Sequence, residues 1–189
     1  MARTLREVSF SVLMAVALFV SIESVTARNY VDGPSMEPNL HKGQVLLVSR
    51  LGISGLTRQV FAGAHLDEPS ATDGWVPPRG SIATFRHPIE PEKLLVKRVV
   101  GLPGEQIAIR NGVVYVDGTR LDEPYVEFHD NRNMTSTRVP LDSIFVLGDN
   151  RPSSSDSRVF GPVPRSNLLG VAVLRYWPPT AVRLMLGTP

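Results

Sequence analysis

The run LLVKRVVGLPG, residues 94–104, holds a lysine among leucines and valines in a chain that rarely uses lysine. Of its 20 basic residues only Lys42, Lys93 and Lys97 are lysine, and the rest are arginine. The two differ in one useful respect: a buried lysine can surrender its proton, whereas arginine in practice does not. In an extended strand Leu95, Lys97 and Val99 share one face, and Leu94, Val96, Arg98 and Val100 the other. Lys97 therefore leaves the strand between two apolar neighbours. Burial penalises the ammonium form and lowers its pKa, by several units at the extreme. A neutral amine is a competent general base. The ordinary alternative is a lysine at a sheet rim whose head snorkels to water.

Two further stretches carry groups suited to the same chemistry. DGPSMEPNLHKGQVLLV sets Ser35 in a tight segment framed by Gly33, Pro34 and Pro38, just ahead of an apolar run. The prolines stiffen the chain, and a stiff turn presents a hydroxyl at a fixed angle; plain turn chemistry is the bland alternative. LGDNRPSSSDSRVFGPV, residues 147–163, packs Asp149, Asn150, Arg151, three consecutive serines, Asp156 and Arg158 into one segment. Such a density of short polar side chains builds either a hydrogen-bonded shelf or a surface loop. His41, His65, His87 and His129 lie in no evident Ser-His-Asp frame and lack the H-E-x-x-H spacing of a zinc site. The absence of cysteine excludes a thiol nucleophile, thiolate metal ligands and disulfides. With a net charge of +2 and no Lys/Arg block, nucleic-acid binding is not expected.

The elements that must hold these groups are mainly β. Short β-branched runs separated by Gly, Pro, Asn and Asp predict strands over 44–50, 81–86, 94–100, 106–118, 143–148 and 170–177. Asn111-Gly112 supplies the two positive-φ residues of a type I′ hairpin turn. Residues 52–79 form one insertion without clear period. Residues 119–142 form another, whose HDNRNMTSTR stretch is expected to be solvated and mobile. Ahead of all this, residues 8–22 are uncharged and mostly apolar, with Arg3 and Arg6 before them. Fifteen helical residues span roughly 22 Å of a ~30 Å hydrocarbon core, and continuing the helix to Ala27 supplies the missing turns. The arginines place that end in the cytoplasm if the segment is an anchor. Val25-Thr26-Ala27 also resembles an A-x-A cleavage site, so a removed signal peptide and a buried globular helix stay open. The end of the chain, residues 181–186, reads as an amphipathic tail.

SMEPNL, KRVVGLPGE and GDNRPSSSDSRVFGPV, in that order behind an apolar N-terminal segment, resemble the type I signal peptidases. These are membrane-anchored serine proteases with a Ser/Lys dyad. The resemblance implies an antiparallel β catalytic core over 29–104 plus 144–180, and a smaller inserted β lobe over 105–143. Around them it implies an N-terminal stub and transmembrane helix over 1–28 and a C-terminal tail over 181–189. It implies Ser35 as nucleophile, Lys97 as general base and Ser154 as the hydroxyl that orients the amine. Asp156 and Arg158 match a structural ion pair and Asp149 a supporting carboxylate. The Ser35 N–H matches an oxyanion donor, and Val31, Met36, Leu40, Leu95 and Val96 match the pockets for small substrate side chains. Some relatives add a serine hydroxyl two residues before the nucleophile, where this chain has Gly33. No cofactor or metal is implied. The implied partners are secretory preproteins and the lipid bilayer, with the catalytic part on the outer face of the plasma membrane; the sequence leaves the oligomeric state open, with a monomer as the default expectation. Ser35 lies thirteen residues beyond Ile22, hence within roughly 45 Å of the apolar segment even if the link is extended. A retained helix would then keep the site close to anchored substrates. Slow self-cleavage after Ala27 is a further expectation, since small residues at −3 and −1 are what the family accepts. Other readings are a non-catalytic, membrane-tethered β domain that binds peptides, and a specialised Ser/Lys processing peptidase for pilus, conjugation or organellar substrates.

Overall fold

The computed structural model describes residues 10–14, 26–49 and 75–185. Most of the apolar 8–22 segment and most of the 52–79 insertion lie outside these. Residues 10–14 are helical, with Phe10, Val12, Leu13 and Met14 exposed. Among the described residues no helix is long and apolar enough to cross a membrane.

The rest is antiparallel β. An eight-stranded sheet runs in the order β1 (Thr26–Tyr30), β2 (Val45–Ser49), β11 (Leu168–Trp177), β3 (Ile82–Arg86), β4 (Leu94–Gly101), β9 (Ser143–Leu147), β10 (Val163–Pro164), with β12 (Arg183–Leu184) alongside β11. A four-stranded sheet has the order β7 (Thr119–Arg120), β6 (Val113–Val116), β5 (Gln106–Arg110), β8 (Met134–Arg138). One short helix, α1 (Ser157–Phe160), is capped by the Asp156 carboxylate, which accepts from the Arg158 N–H. All six expected strand regions are present, and the 106–118 stretch divides into β5 and β6 at Asn111-Gly112, both with positive φ. Asp117-Gly118 repeats the device and turns β6 into β7.

Two expectations change. Thr26 and Ala27 do not continue a helix: they begin β1 and pair with Ser49 and Val48. Tertiary pairing to a strong neighbouring strand overrides the helical reading of so short a stretch. The polar 129–138 stretch is not simply solvated, because its second half is β8 on β5 and Met134 packs against a core. The amphipathic tail after 180, by contrast, packs on the sheet, through β12 and a bond from Arg175 Nε to the Ala181 carbonyl at 2.7 Å.

Side-chain alternation along β4 feeds three apolar cores, which is why one strand organises the molecule. Val96 joins Val31, Met36, Leu40, Leu46, Val48, Ile82 and Ala172. Val99 joins Phe85, Ile144 and Val146. Val100 joins Phe145 and Leu147 of the large sheet and Ile107, Ile109 and Val114 of the small one, so this core binds the two sheets together. At that crossing Gly101 is required. A Cβ there would lie 2.8 Å from both Ile107 and Phe145 side-chain atoms.

Candidate active site

Ser35 sits in a single 3-10 turn, Pro34–Met36, whose first position is a proline that needs no N–H partner. The turn closes with Glu37 N–H to the Pro34 carbonyl at 3.1 Å and Leu40 N–H to the Met36 carbonyl at 2.8 Å. Met36 and Leu40 drive it into the first core, at 1% and 0% exposure, so Ser35 is left standing above an apolar floor.

Lys97 comes from β4, opposite Ala83 of β3. It is 3% exposed, and its Nζ lies 2.6 Å from Ser35 Oγ. The stem curls back along its own strand, so the amine also meets the Val96 carbonyl at 3.1 Å. Burial is the main influence on this amine and lowers its pKa from 10.5 to about 8; Asp156 and Asp149 pull the other way and lose. They lose for a structural reason. Asp149 is gripped by Arg98, Nε to Oδ1 at 2.8 Å and Nη2 to Oδ2 at 2.6 Å. Asp156 is gripped likewise by Arg158, at 2.8 Å to each oxygen. Each carboxylate is already neutralised by a forked guanidinium, so neither offers the amine a full counter-charge.

The 147–158 segment is a shelf rather than a surface loop: Asp149, Asn150, Arg151, Ser154, Asp156 and Ser157 are all buried. The Asn150 N–H donates to the Ser35 carbonyl at 3.0 Å, docking the shelf on the serine turn. The Gly148 N–H donates to Asp156 at 3.0 Å. A Cβ on Gly148 would fall 2.2 Å from Ser154 Oγ and 2.6 Å from the Ser35 carbonyl, so Gly148 is what lets Ser154 and Ser35 approach. Ser154 Oγ itself is buried and has no hydrogen-bond partner among the described residues. The expected bond from that hydroxyl to the lysine amine is therefore not made here, where the amine is already engaged by Ser35 and Val96.

Of the expected pocket residues, Val31, Met36, Leu40 and Val96 share one core, and Leu95 does not. Strand alternation sends Leu95 to the core of Phe85 and Val99 instead. Among the described residues no three His, Asp or Glu side chains cluster as metal ligands.

Several residues that hold the site escaped the sequence reading. Arg98 binds Asp149, donates from Nη1 to the Gly80 carbonyl at 2.7 Å, and stacks 4.0 Å over the Tyr125 ring. Glu123 holds Arg151 at 2.5 Å, and Asp130 holds Arg158 at 2.6 Å. Asn39 bonds Asp149 at 2.9 Å. One signal was available: an arginine inside an apolar strand needs a buried acid, and GDN offers one.

A serine hydroxyl against a buried lysine amine, on an antiparallel β scaffold, is the arrangement of a serine endopeptidase. The family model described as signal peptidase, peptidase S26 matches residues 4–177, and the chain belongs to that family, whose members remove signal peptides. It is 34% identical over 174 residues to signal peptidase I of Leptolyngbya laminosa, covering 87% of this chain and 76% of the relative. It is 35% identical over 181 residues to signal peptidase I of Bacillus caldolyticus, covering 87% of each. A crystal structure of a signal peptidase I from Enterococcus faecalis V583 matches with 34% identity and a TM-score of 0.46, covering 51% of this chain and 97% of that one.

Proposed function

We propose that the chain cleaves preproteins after small residues at −3 and −1, with Ser35 as nucleophile and Lys97 as general base. The observation that carries the roles is the 2.6 Å approach of a 3%-exposed amine to the Ser35 hydroxyl. In the neutral form the amine accepts the Ser35 proton as Oγ attacks the scissile carbonyl carbon. The C–O bond forms and the carbonyl electron pair moves onto oxygen. The Ser35 N–H is the backbone donor available to that oxyanion, because N–H groups in the first turn of a helical segment lack partners within it. Gly33 contributes no side-chain donor. As the tetrahedral species collapses, the C–N bond breaks and the Lys97 ammonium returns the proton to the leaving amine. The same amine then takes a proton from a water whose oxygen attacks the acyl carbon; the bond from that carbon to Ser35 Oγ breaks, and the ammonium returns the proton to Oγ.

Asp156 with Arg158, and Asp149 with Arg98, hold the shelf under the dyad, and Ser154 stands ready to accept or donate once the amine changes partner. Val31, Met36, Leu40 and Val96 form an apolar floor that admits small side chains. The strands over 106–138 constitute the inserted lobe, and 29–104 with 144–180 the catalytic core. The 8–22 segment anchors the chain once in the plasma membrane, with Arg3 and Arg6 inside and the dyad outside. The exposed apolar side chains of residues 10–14 support that placement. The test is turnover of a preprotein bearing an Ala-x-Ala site. Ser35→Ala and Lys97→Ala each lose cleavage with an unchanged circular dichroism spectrum. Wild-type turnover by either folded variant overturns the assignment.

A further inference from the structure

The serine turn is held to the shelf at two places, and the second runs through Asn39. At the first, the Asn150 N–H donates to the Ser35 carbonyl at 3.0 Å. At the second, Asn39 Nδ2 lies 2.7 Å from the Tyr125 carbonyl and 2.9 Å from Asp149 Oδ2. Both partners only accept, which fixes the amide orientation and uses both of its N–H groups. The Asn39 backbone carbonyl in turn accepts from Arg175 Nη1 at 3.0 Å. Asn39 therefore meets three segments that lie 86, 110 and 136 residues away in the chain.

Asp149 and Asn150 are consecutive, so the turn cannot rotate against the shelf without breaking one of these bonds. Apolar packing of Met36 and Leu40 fixes the depth of the turn, but such packing is non-directional and leaves its angle to hydrogen bonds. Asp149 is clasped by Arg98, the residue next to Lys97. A continuous path of bonds thus joins the turn that carries Ser35 to the strand that carries Lys97. We infer that Asn39 is a positioning residue: its amide locks the Ser35 turn to Asp149 and so sets the separation of Ser35 Oγ from Lys97 Nζ. This rests on the dyad reading above. Asn39 touches no reacting atom and acts only through Asp149 and the turn.

The experiment measures kcat and KM of the full chain on a preprotein with an Ala-x-Ala site, for Asn39→Ala and Asn39→Ser, normalised to the folded fraction. Misplacing a reacting group by about 1 Å costs up to roughly 100-fold, so Asn39→Ala lowers kcat about 10- to 100-fold. KM stays within about twofold, because the interaction acts on the chemical step rather than on ground-state binding. The Asn39→Ser hydroxyl donates one bond and recovers part of the loss. A folded Asn39→Ala enzyme with wild-type kcat overturns the inference, and so does a defect confined to KM. Should the alanine variant fail to fold, the serine variant decides: kcat several-fold below wild type supports the role, and an unchanged kcat refutes it. Ser35→Ala and Lys97→Ala run in parallel. Turnover retained in either refutes the dyad itself, whereas loss in both beside an unaffected Asn39→Ala refutes only the positioning role.

Discussion

Lys97 carries a proton at neutral pH only at a cost, and the cost is what makes it useful. With a pKa of about 8, roughly one amine in ten is neutral at pH 7, against fewer than one in a thousand for an ordinary lysine. The same shift has a consequence for stability. The folded pKa is depressed below the unfolded value of 10.5, so the unfolded chain binds the proton more tightly. Below pH 8 the folded state therefore bears the full penalty, up to roughly 3 kcal/mol, and it is relieved as pH rises from 8 towards 10.5. Lys97→Met keeps the stem volume and removes the charge. It should be inactive yet more stable than wild type at pH 7, with the gap closing towards pH 10.5 in urea denaturation series. A methionine variant no more stable at pH 7 would mean the amine is better solvated than its 3% exposure implies.

At the scale of elements, the shelf makes the site rigid. Gly148→Ala forces a methyl group into the space of Ser154 Oγ and the Ser35 carbonyl, so one of them must move. Because displacements of about 1 Å cost up to roughly 100-fold, kcat should fall by that order, with a lowered melting temperature. Asp149→Ala leaves the Arg98 guanidinium buried and unpaired, and such losses cost about 3–5 kcal/mol. Arg98→Lys cannot rebuild the fork and should recover only part of that stability in thermal melts. The sequence made some of this visible and hid the rest for physical reasons. β2, β3, β4, β9 and β11 have five to ten residues, most of them apolar, with buried runs, so their patterns are strong. β7, β10 and β12 have two residues each, too few for any period. β8 is polar and mostly exposed, and only its pairing with β5 reveals it as a strand. Ser35 and Lys97 stood out by type and setting. Asn39, Tyr125, Glu123 and Asp130 did not, because each acts through a partner far away in the chain.

For the whole molecule, the two sheets share one core and one set of buried ion pairs, so the smaller sheet braces the dyad as well as packing beside it. Glu123 and Asp130, which lie between β7 and β8, anchor Arg151 and Arg158 of the shelf. The other end of the chain bears on self-processing. Ala27 lies within β1, opposite Val48, and a protease needs its substrate extended and unpaired. Cleavage after Ala27 should therefore proceed only from molecules in which β1 has left β2, and its rate should rise in urea below the unfolding transition. Mass spectrometry of the N-terminus over time measures this, and a urea-independent rate would contradict it. The proposed mechanism requires an amine that titrates well below an ordinary lysine while touching the Ser35 hydroxyl. The most direct measurement is the pH dependence of kcat/KM from pH 6 to 10 on a preprotein with an Ala-x-Ala site, for wild type and Lys97→Ala. The wild-type rate should rise through one ionisation near pH 8 and the variant should show no turnover. A rise only near the ordinary lysine value, or equal turnover by Lys97→Ala, would contradict the account.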